Sequence, residues 1–256
     1  MRGPLSLRVG CEWRKVVRDA SDELIIAPAG FVRYRQQMAA AGQPVAFRLP
    51  EHSSAAVRLL IRFGCIGAAA TSGRFAAGGI VTSSNPLLCG NLSPWWGFTG
   101  KQNADGILRE AAGPGLVAEC ESLPSIGPEG EKLLPGDARA TAAHQLAADS
   151  MIHALAPTSH RSANGEKVLR RTYERCLMLA DERELPCLAL PAIGCGVNAF
   201  PPSVGARAAM DAVERSLAGP TPAVARGATM LVEFVLADEG CYAAYADAAH
   251  ARWGKS

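Results

Sequence analysis

The chain has 256 residues, 48% of them hydrophobic, and a formal net charge of only +2. This length suffices for one main domain with a sizeable core, while the charge argues against nucleic acid or an anionic membrane as the main partner. The eight cysteines form no C-x-x-C pair, which is typical of reduced intracellular thiols rather than a disulfide frame or a zinc site. No apolar run is long enough to cross a bilayer. We expect a soluble, intracellular monomer without metal or cofactor.

The N-terminal segment is basic. Its first eighteen residues carry five Arg and Lys side chains against Glu12, a composition that resembles an organelle transit sequence. Organelle targeting therefore stands beside the cytoplasm and the nucleus as an expected location. We predict residues 1–55 as an extension to which no structure is assigned, and residues 56–256 as the main domain.

Strands and helices alternate along the main domain. Five segments have the apolar pattern of buried strands: residues 57–66, 79–83, 150–155, 187–190 and 229–236. Four have apolar residues at helical spacing: residues 105–123, 167–184, 203–217 and a last helix from Cys241. This alternation predicts a mainly parallel sheet with helices on both faces. Ligands of such sheets bind at the carboxyl ends of the strands.

A glycine-rich turn follows the strand at residues 187–190. The sequence LPAIGCGVNAFP (190–201) places two glycines around Cys195, and a helical pattern follows from Pro202. Such a turn presents backbone N–H groups and the positive end of a helix to one point, which suits an anion. An ordinary strand-to-helix connection is the alternative, since neither a G-x-G-x-x-G nor a G-K-[ST] motif is present.

Four blocks in order resemble the macrodomains, a family that binds ADP-ribose and in several branches hydrolyses it from proteins or from acetylated derivatives. They are IVTSSNPLL (80–88), ADGILREAAGPGLVAEC (104–120), SMIHALAP (150–157) and LALPAIGCGVNAFP (188–201). The resemblance runs from about Gly64 to the C-terminus, and the MacroD-type hydrolases are the most similar branch. It implies a three-layer α/β/α sandwich with a mixed central sheet.

The resemblance also implies a set of site residues. Asn85 is expected at the distal ribose, and Asp105 beside it as the residue that activates or positions a water, so both are candidate catalytic residues. Further ligand contacts are implied for the start of the second block and for the glycine-rich turn: Gly106, Ile107, Gly194, Cys195, Gly196, Val197, Asn198, Ala199 and Phe200. In the turn the main-chain N–H groups bind the diphosphate.

Each catalytic candidate has a structural alternative. The Asn85 carboxamide could cap a turn before Pro86, and the Asp105 carboxylate could cap the helix that begins there. Cys195 is interpreted as a small packing residue and not as a nucleophile, because no histidine is paired with it in the sequence and a diphosphate would repel a thiolate.

Several positions depart from the family pattern. The aspartate that selects adenine is replaced by Cys65 or Thr71, depending on the alignment, and the aromatic residue after the last strand is replaced by Ala237. The family histidine of the second block is Arg109, whose guanidinium could face solvent. The first ligand loop contains Trp95, Trp96, Phe98 and Lys101, which could stack on the base, block the cleft or pack under the loop.

These features lead to two expected functions. The first is binding of ADP-ribose or of an ADP-ribosylated protein, with hydrolysis of the bond to the distal ribose and no need for a metal. The second is a non-catalytic reader or interaction module. The altered positions around the base predict a modest preference for adenine.

Overall fold

A computed structural model describes the strands at residues 6–9, 12–18, 24–27 and 45–48, and the segments 57–90, 103–158, 164–218 and 230–254. The chain divides into two compact units, Met1–Gly42 and Gln43–Ser256. The first unit contains an antiparallel sheet in the order β1-β2-β3, formed by β1 (Ser6–Val9), β2 (Glu12–Arg18) and β3 (Leu24–Ala27).

The second unit contains a seven-stranded sheet in the order β4-β5-β10-β9-β6-β8-β7. Its strands are β4 (Val45–Arg48), β5 (Val57–Phe63), β6 (Phe75–Ser83), β7 (Asp137–Ala142), β8 (Ala148–Leu155), β9 (Cys187–Leu190) and β10 (Met230–Leu236). The five central strands are parallel, and β4 and β7 pair antiparallel at the two edges. The predicted mixed sheet is confirmed.

Helices cover both faces of this sheet. They are α1 (Ile66–Thr71), α2 (Ala104–Ala112), α3 (Pro114–Ser122), α4 (Gly165–Glu182), α5 (Pro202–Ala218) and α6 (Glu239–Trp253). The first three bury one core against the sheet, and the last three bury the other. Because side chains alternate along a strand, Ile80 of β6 enters the first core and Val81 the second. The result is a three-layer α/β/α sandwich, as expected.

Two predicted elements are wrong in part. The strand predicted at 57–66 ends at Phe63, and Ile66 begins α1. The single helix predicted at 105–123 is two helices separated at Gly113, whose φ is +78°, and α3 begins at Pro114. Gly113 ends the hydrogen-bond ladder of α2, and Pro114 begins that of α3.

Two strands of the seven-stranded sheet had no sequence prediction. The edge strand β7 consists mainly of small residues (DARATA), so β propensity did not indicate it. The strand β4 pairs with β5, although it precedes residue 56, where the sequence placed the start of the main domain. The functional boundary of that domain stays a prediction. None of the helices in the described ranges combines the length and apolar composition that crossing a membrane requires.

Candidate functional site

The carboxyl ends of the five parallel strands meet at one edge of the sheet. Two hydrogen bonds tie the connections there to neighbouring strands: the Gly64 N–H donates to the Leu236 carbonyl (2.8 Å), and the Ser84 N–H donates to the Ala154 carbonyl (2.8 Å). The glycine-rich turn leaves β9 at this same edge, as predicted from its place in the chain.

The glycine-rich turn is tight at one glycine and open at the other. Gly194 has a φ of +82°, and a Cβ there would lie 3.1 Å from Phe200 Cδ2 and 3.2 Å from Leu169 Cδ1. At Gly196 a Cβ would meet no atom within 4 Å. Gly194 is therefore required by the backbone and packing, whereas Gly196 borders open space.

Several N–H groups of this turn lack a partner. The Ala199 N–H donates to the Gly196 carbonyl (2.9 Å), and the Phe200 N–H donates to the Gly194 carbonyl (3.0 Å). Across the segments that the structure describes, the N–H groups of Gly196, Val197 and Asn198 donate to no protein acceptor. Because α5 begins directly after the turn, these donors and the positive end of its dipole together favour an anion.

Asn85 holds its own loop together. Its Nδ2 donates to the Gly90 carbonyl (2.8 Å), and its Oδ1 accepts from the N–H groups of Leu87 (3.1 Å) and Cys89 (3.3 Å). The structure thus assigns to this carboxamide the turn-forming role that was the alternative interpretation. The ribose contact of Asn85 stays a prediction.

Asp105 does not cap its helix. The cap of α2 is Asn103, whose Oδ1 accepts from the Gly106 N–H at 2.8 Å. The Asp105 side chain turns inward and is only 2% exposed. Its Oδ1 accepts from Thr82 Oγ1 (3.1 Å) and Ser84 Oγ (3.3 Å). The capping interpretation is therefore wrong, and the carboxylate lies in a polar cluster beside the end of β6.

The Arg109 side chain is only 10% exposed and lies against this carboxylate, so the expectation that it could face solvent is wrong. Its Nε donates to Asp105 Oδ2 (3.2 Å), and one of its terminal nitrogens donates to the Leu88 carbonyl (2.6 Å). Arg109 Nη1 is buried without a hydrogen-bond partner in the described ranges. Burial raises the pKa of Asp105 above its usual range, and the charge of Arg109 acts in the opposite direction.

His153 completes the polar cluster, although the sequence analysis assigned it no role. It is fully buried in β8, with Nδ1 3.2 Å from Ser84 Oγ and Nε2 3.0 Å from Thr141 Oγ1. Burial and, to a smaller extent, the charge of Arg109 lower the pKa of His153 to about 3. The imidazole is neutral at physiological pH and orients Ser84. A lone histidine within an apolar strand segment was the signal for it.

Three other residues predicted to contact the ligand, Gly106, Ile107 and Phe200, make contacts within the protein. The N–H groups of Gly106 and Ile107 donate to Asn103 at the start of α2 (2.8 and 3.1 Å). The Ile107 side chain packs on Gly67, where a Cβ would lie 2.3 Å from Ile107 Cγ2. Phe200 is 2% exposed, and its ring packs next to Gly194 of the turn. A direct ligand contact by this ring is not supported by its burial.

Comparisons with known proteins agree with this architecture. The sequence model of the Macro domain family matches residues 97–209. A macro domain-containing protein of Vibrio parahaemolyticus is 35% identical over 136 residues, which is 53% of this chain and 73% of that protein. The chain belongs to the macro domain family. An O-acetyl-ADP-ribose deacetylase of Enterobacter cloacae subsp. cloacae is 34% identical over 139 residues, or 54% of this chain and 70% of that protein.

Solved macrodomains share the fold. The Oceanobacillus iheyensis macrodomain with ADP superposes with a TM-score of 0.62 at 22% identity, covering 81% of this chain and 96% of that one. The Trypanosoma brucei macrodomain in complex with ADP-ribose gives 0.57 at 20% identity, with 78% and 73% covered. At these identities the likeness supports the three-layer architecture alone.

The structure separates the two alignments for the missing base-selecting aspartate of this macro domain. Cys65 is the second residue after β5, at the carboxyl edge of the sheet, and directly precedes α1. Thr71 lies at the far end of α1, and its hydroxyl donates to the Gly67 carbonyl (3.2 Å). Its place at this edge favours Cys65 for the position of the missing aspartate, which stays a prediction, and neither residue supplies a carboxylate. Ala237, the replaced aromatic position, is exposed directly after β10.

The first ligand loop of the macro domain is described only in part. Its tryptophans and Lys101 lie outside the described residues, so the three predicted roles for them stay predictions. Among the side chains that the structure describes, no group of three or more His, Cys, Asp or Glu is arranged to hold a metal ion.

Proposed function

We propose that this macro domain binds ADP-ribose, free or attached to a protein, and hydrolyses the ester bond between an acyl group and its distal ribose. The observation that carries the proposal is the glycine-rich turn next to the start of α5, where the N–H groups of residues 196–198 donate to no acceptor in the part of the chain that the structure describes. A diphosphate supplies the oxygen acceptors that these donors lack.

Binding requires little rearrangement of the turn. Gly194 is held in its left-handed conformation by the Phe200 hydrogen bond and by close packing, so the donors are ordered before the ligand arrives. A preorganised site loses less conformational entropy on binding, which favours affinity. The open space at Gly196 allows phosphate oxygens to approach the main chain.

Hydrolysis is assigned to a water positioned by Asp105. The carboxylate accepts three hydrogen bonds, from Thr82, Ser84 and Arg109, and can accept one more from a water. Its raised pKa makes it a stronger base than an exposed aspartate. The water would attack the acyl carbonyl, and the products would be a carboxylic acid and ADP-ribose. The similarity to an O-acetyl-ADP-ribose deacetylase supports O-acetyl-ADP-ribose as the first substrate to test.

A second candidate function is a non-catalytic reader of ADP-ribose. The Asn85 carboxamide, the other candidate catalytic group, is hydrogen-bonded to its own loop through both its oxygen and its nitrogen, and Asp105 is almost completely buried. A substrate that did not displace these contacts would bind without reaching either group.

Calorimetry and a turnover assay distinguish the two functions. We expect ADP-ribose to bind, ADP to bind more weakly and AMP to bind weakest, because each step removes a group that the edge of the sheet contacts. Release of acetate from O-acetyl-ADP-ribose supports the hydrolase. Binding without release supports the reader, and absence of any ADP-ribose binding contradicts both.

The remaining sequence-based expectations are part of the same proposal. We propose that the chain acts as a monomer inside the cell and that ADP-ribosylated proteins are its macromolecular partners. The functional domain is proposed to begin near residue 56, with β4 as an added edge strand.

A further inference from the structure

Two cysteines lie at the carboxyl edge of the sheet, Cys195 in the glycine-rich turn and Cys241 at the start of the last helix. Cys195 is the fifth residue after β9, and Cys241 is the fifth residue after β10. These two strands are neighbours in the sheet, with Leu190 opposite Phe234. The topology therefore brings both cysteines to the same part of the carboxyl edge.

The position of the Cys195 sulfur is defined by its neighbours. A Cβ placed on Gly205 of α5 would lie 2.4 Å from Cys195 Sγ and 3.3 Å from Tyr245 Oη. The sulfur thus occupies a notch over Gly205, next to the Tyr245 hydroxyl. Tyr245 and Cys241 are one helical turn apart on the same face of α6, so the Cys241 thiol lies on the side of the helix that faces the Cys195 sulfur.

We propose that Cys195 and Cys241 form a reversible disulfide when the protein meets a peroxide, and that this disulfide turns off the glycine-rich turn. Neither cysteine is needed for hydrolysis in the mechanism given above. The effect on ligand binding rests on the proposed function, whereas formation of the disulfide does not.

The surroundings favour reaction at Cys195. Its side chain is partly exposed, next to the exposed Gly196 and Val197, while Cys241 is 6% exposed. The hydrogen bond from the Cys241 thiol, and then that from the Tyr245 hydroxyl, lower the pKa of Cys195. The thiolate is the nucleophile toward peroxides, so Cys195 reacts first and Cys241 is the resolving thiol.

The chemistry balances with hydrogen peroxide as the oxidant. The Cys195 thiolate attacks one peroxide oxygen, forms a sulfenic acid and releases hydroxide. The Cys241 sulfur then displaces the sulfenic oxygen as water and forms the S–S bond. In total, the two thiols lose two protons and two electrons, and the peroxide is reduced to two molecules of water.

The disulfide should disturb the anion site directly. The S–S bond is about 2 Å long, shorter than any hydrogen-bonded approach of two thiols, so Cys195 must move toward α6. Its amide is followed by the unpaired N–H groups of residues 196–198. Their misalignment should reduce ADP-ribose affinity by about tenfold or more. By linkage, bound ADP-ribose should slow the oxidation.

The test uses the full chain, hydrogen peroxide and intact-mass and peptide mass spectrometry. We expect loss of two hydrogen atoms, a linked peptide pair containing Cys195 and Cys241, and recovery of ADP-ribose affinity on reduction. Cys241→Ser should bind ADP-ribose like the wild type and keep that affinity after peroxide. Cys89→Ser, which removes an exposed thiol, should respond like the wild type.

Two results would overturn the proposal. One is oxidised wild-type protein without a linkage between residues 195 and 241. The other is a Cys241→Ser variant that loses affinity after peroxide as the wild type does. If the reduced protein binds no ADP-ribose, the proposed function fails, but the linkage measured by mass spectrometry still decides whether the disulfide exists.

Discussion

Replacing Gly196 by glutamate tests the anion site with the least disturbance of the fold. The backbone at Gly196 is not in the left-handed region, and a Cβ there meets no atom within 4 Å, so the side chain is accommodated. Its carboxylate would lie beside the unpaired N–H groups of the turn, about 5–6 Å from a bound diphosphate. At an effective dielectric constant of roughly 40 for this exposed site, repulsion from two phosphate charges amounts to about 2–3 kcal/mol.

A loss of this size lowers ADP-ribose affinity by about 30-fold to 150-fold. Calorimetry measures the affinity, and thermal unfolding should show an unchanged midpoint. Gly196→Ala is the matched control, which should retain nearly full affinity because it adds a methyl group to open space. Gly194→Ala should instead lower the free energy of unfolding by about 1–3 kcal/mol, since it forces a left-handed residue against Phe200. Wild-type affinity in Gly196→Glu would refute the assignment of the anion to this turn.

Four further predictions concern the polar cluster and the base. Asp105→Ala should bind ADP-ribose but lower turnover of O-acetyl-ADP-ribose by about 10²–10⁴, and full activity in this variant would contradict the catalytic role. The control Asn103→Ala, which removes the helix cap, should lower the free energy of unfolding by about 1 kcal/mol. Burial raises the pKa of Asp105, so turnover should fall with decreasing pH at a pH above the usual aspartate range. Because the charge of Arg109 opposes that rise, Arg109→Met should move the acid side of the pH–rate profile to higher pH. An unchanged profile would argue against the ion pair. His153 has a pKa of about 3 in the folded state against 6.5 in the unfolded state, so the unfolded state binds the extra proton and stability falls as the pH decreases from about 6 to 4. In denaturant titrations, the free energy of unfolding of His153→Gln should change with pH by about 1.4 kcal/mol per pH unit less than that of the wild type. Equal slopes would mean that His153 is not buried as a neutral group. Since Cys65 supplies no carboxylate, calorimetry should find only a modest preference for ADP-ribose over its inosine analogue, and a hundredfold preference would show that another group recognises the base.

Local sequence patterns predicted most of the fold. The apolar runs at 187–190 and 229–236 and the helical spacing at 167–184 each have a partner in the structure, displaced by at most two residues. The break between α2 and α3 was visible as Gly113-Pro114 and should have been predicted, because that dipeptide ends one helix and starts another. The strand β7 could not be predicted, since only pairing with β8 makes an extended strand of DARATA.

The candidate site divides in the same way. The glycine-rich turn at the end of β9 follows from the sequence because glycines, a preceding strand and a following helix are all local features. The partners of Asp105 do not follow from it. They come from β6 and from Arg109. The sequence did not show whether the Arg109 guanidinium faces solvent or forms an ion pair, because that depends on how α2 packs.

The sequence alone therefore predicted most of the order of elements, the family and the edge of the sheet at which we propose that an anion binds, because periodicity and turn chemistry act over a few neighbouring residues. Only the tertiary structure decided which side chains meet: Asn103 and not Asp105 as the helix cap, and His153 with Ser84 and Thr141. Most of these contacts join residues that are far apart along the chain. Their geometry depends on how strands are ordered in the sheet and how helices pack on it, which local patterns do not specify.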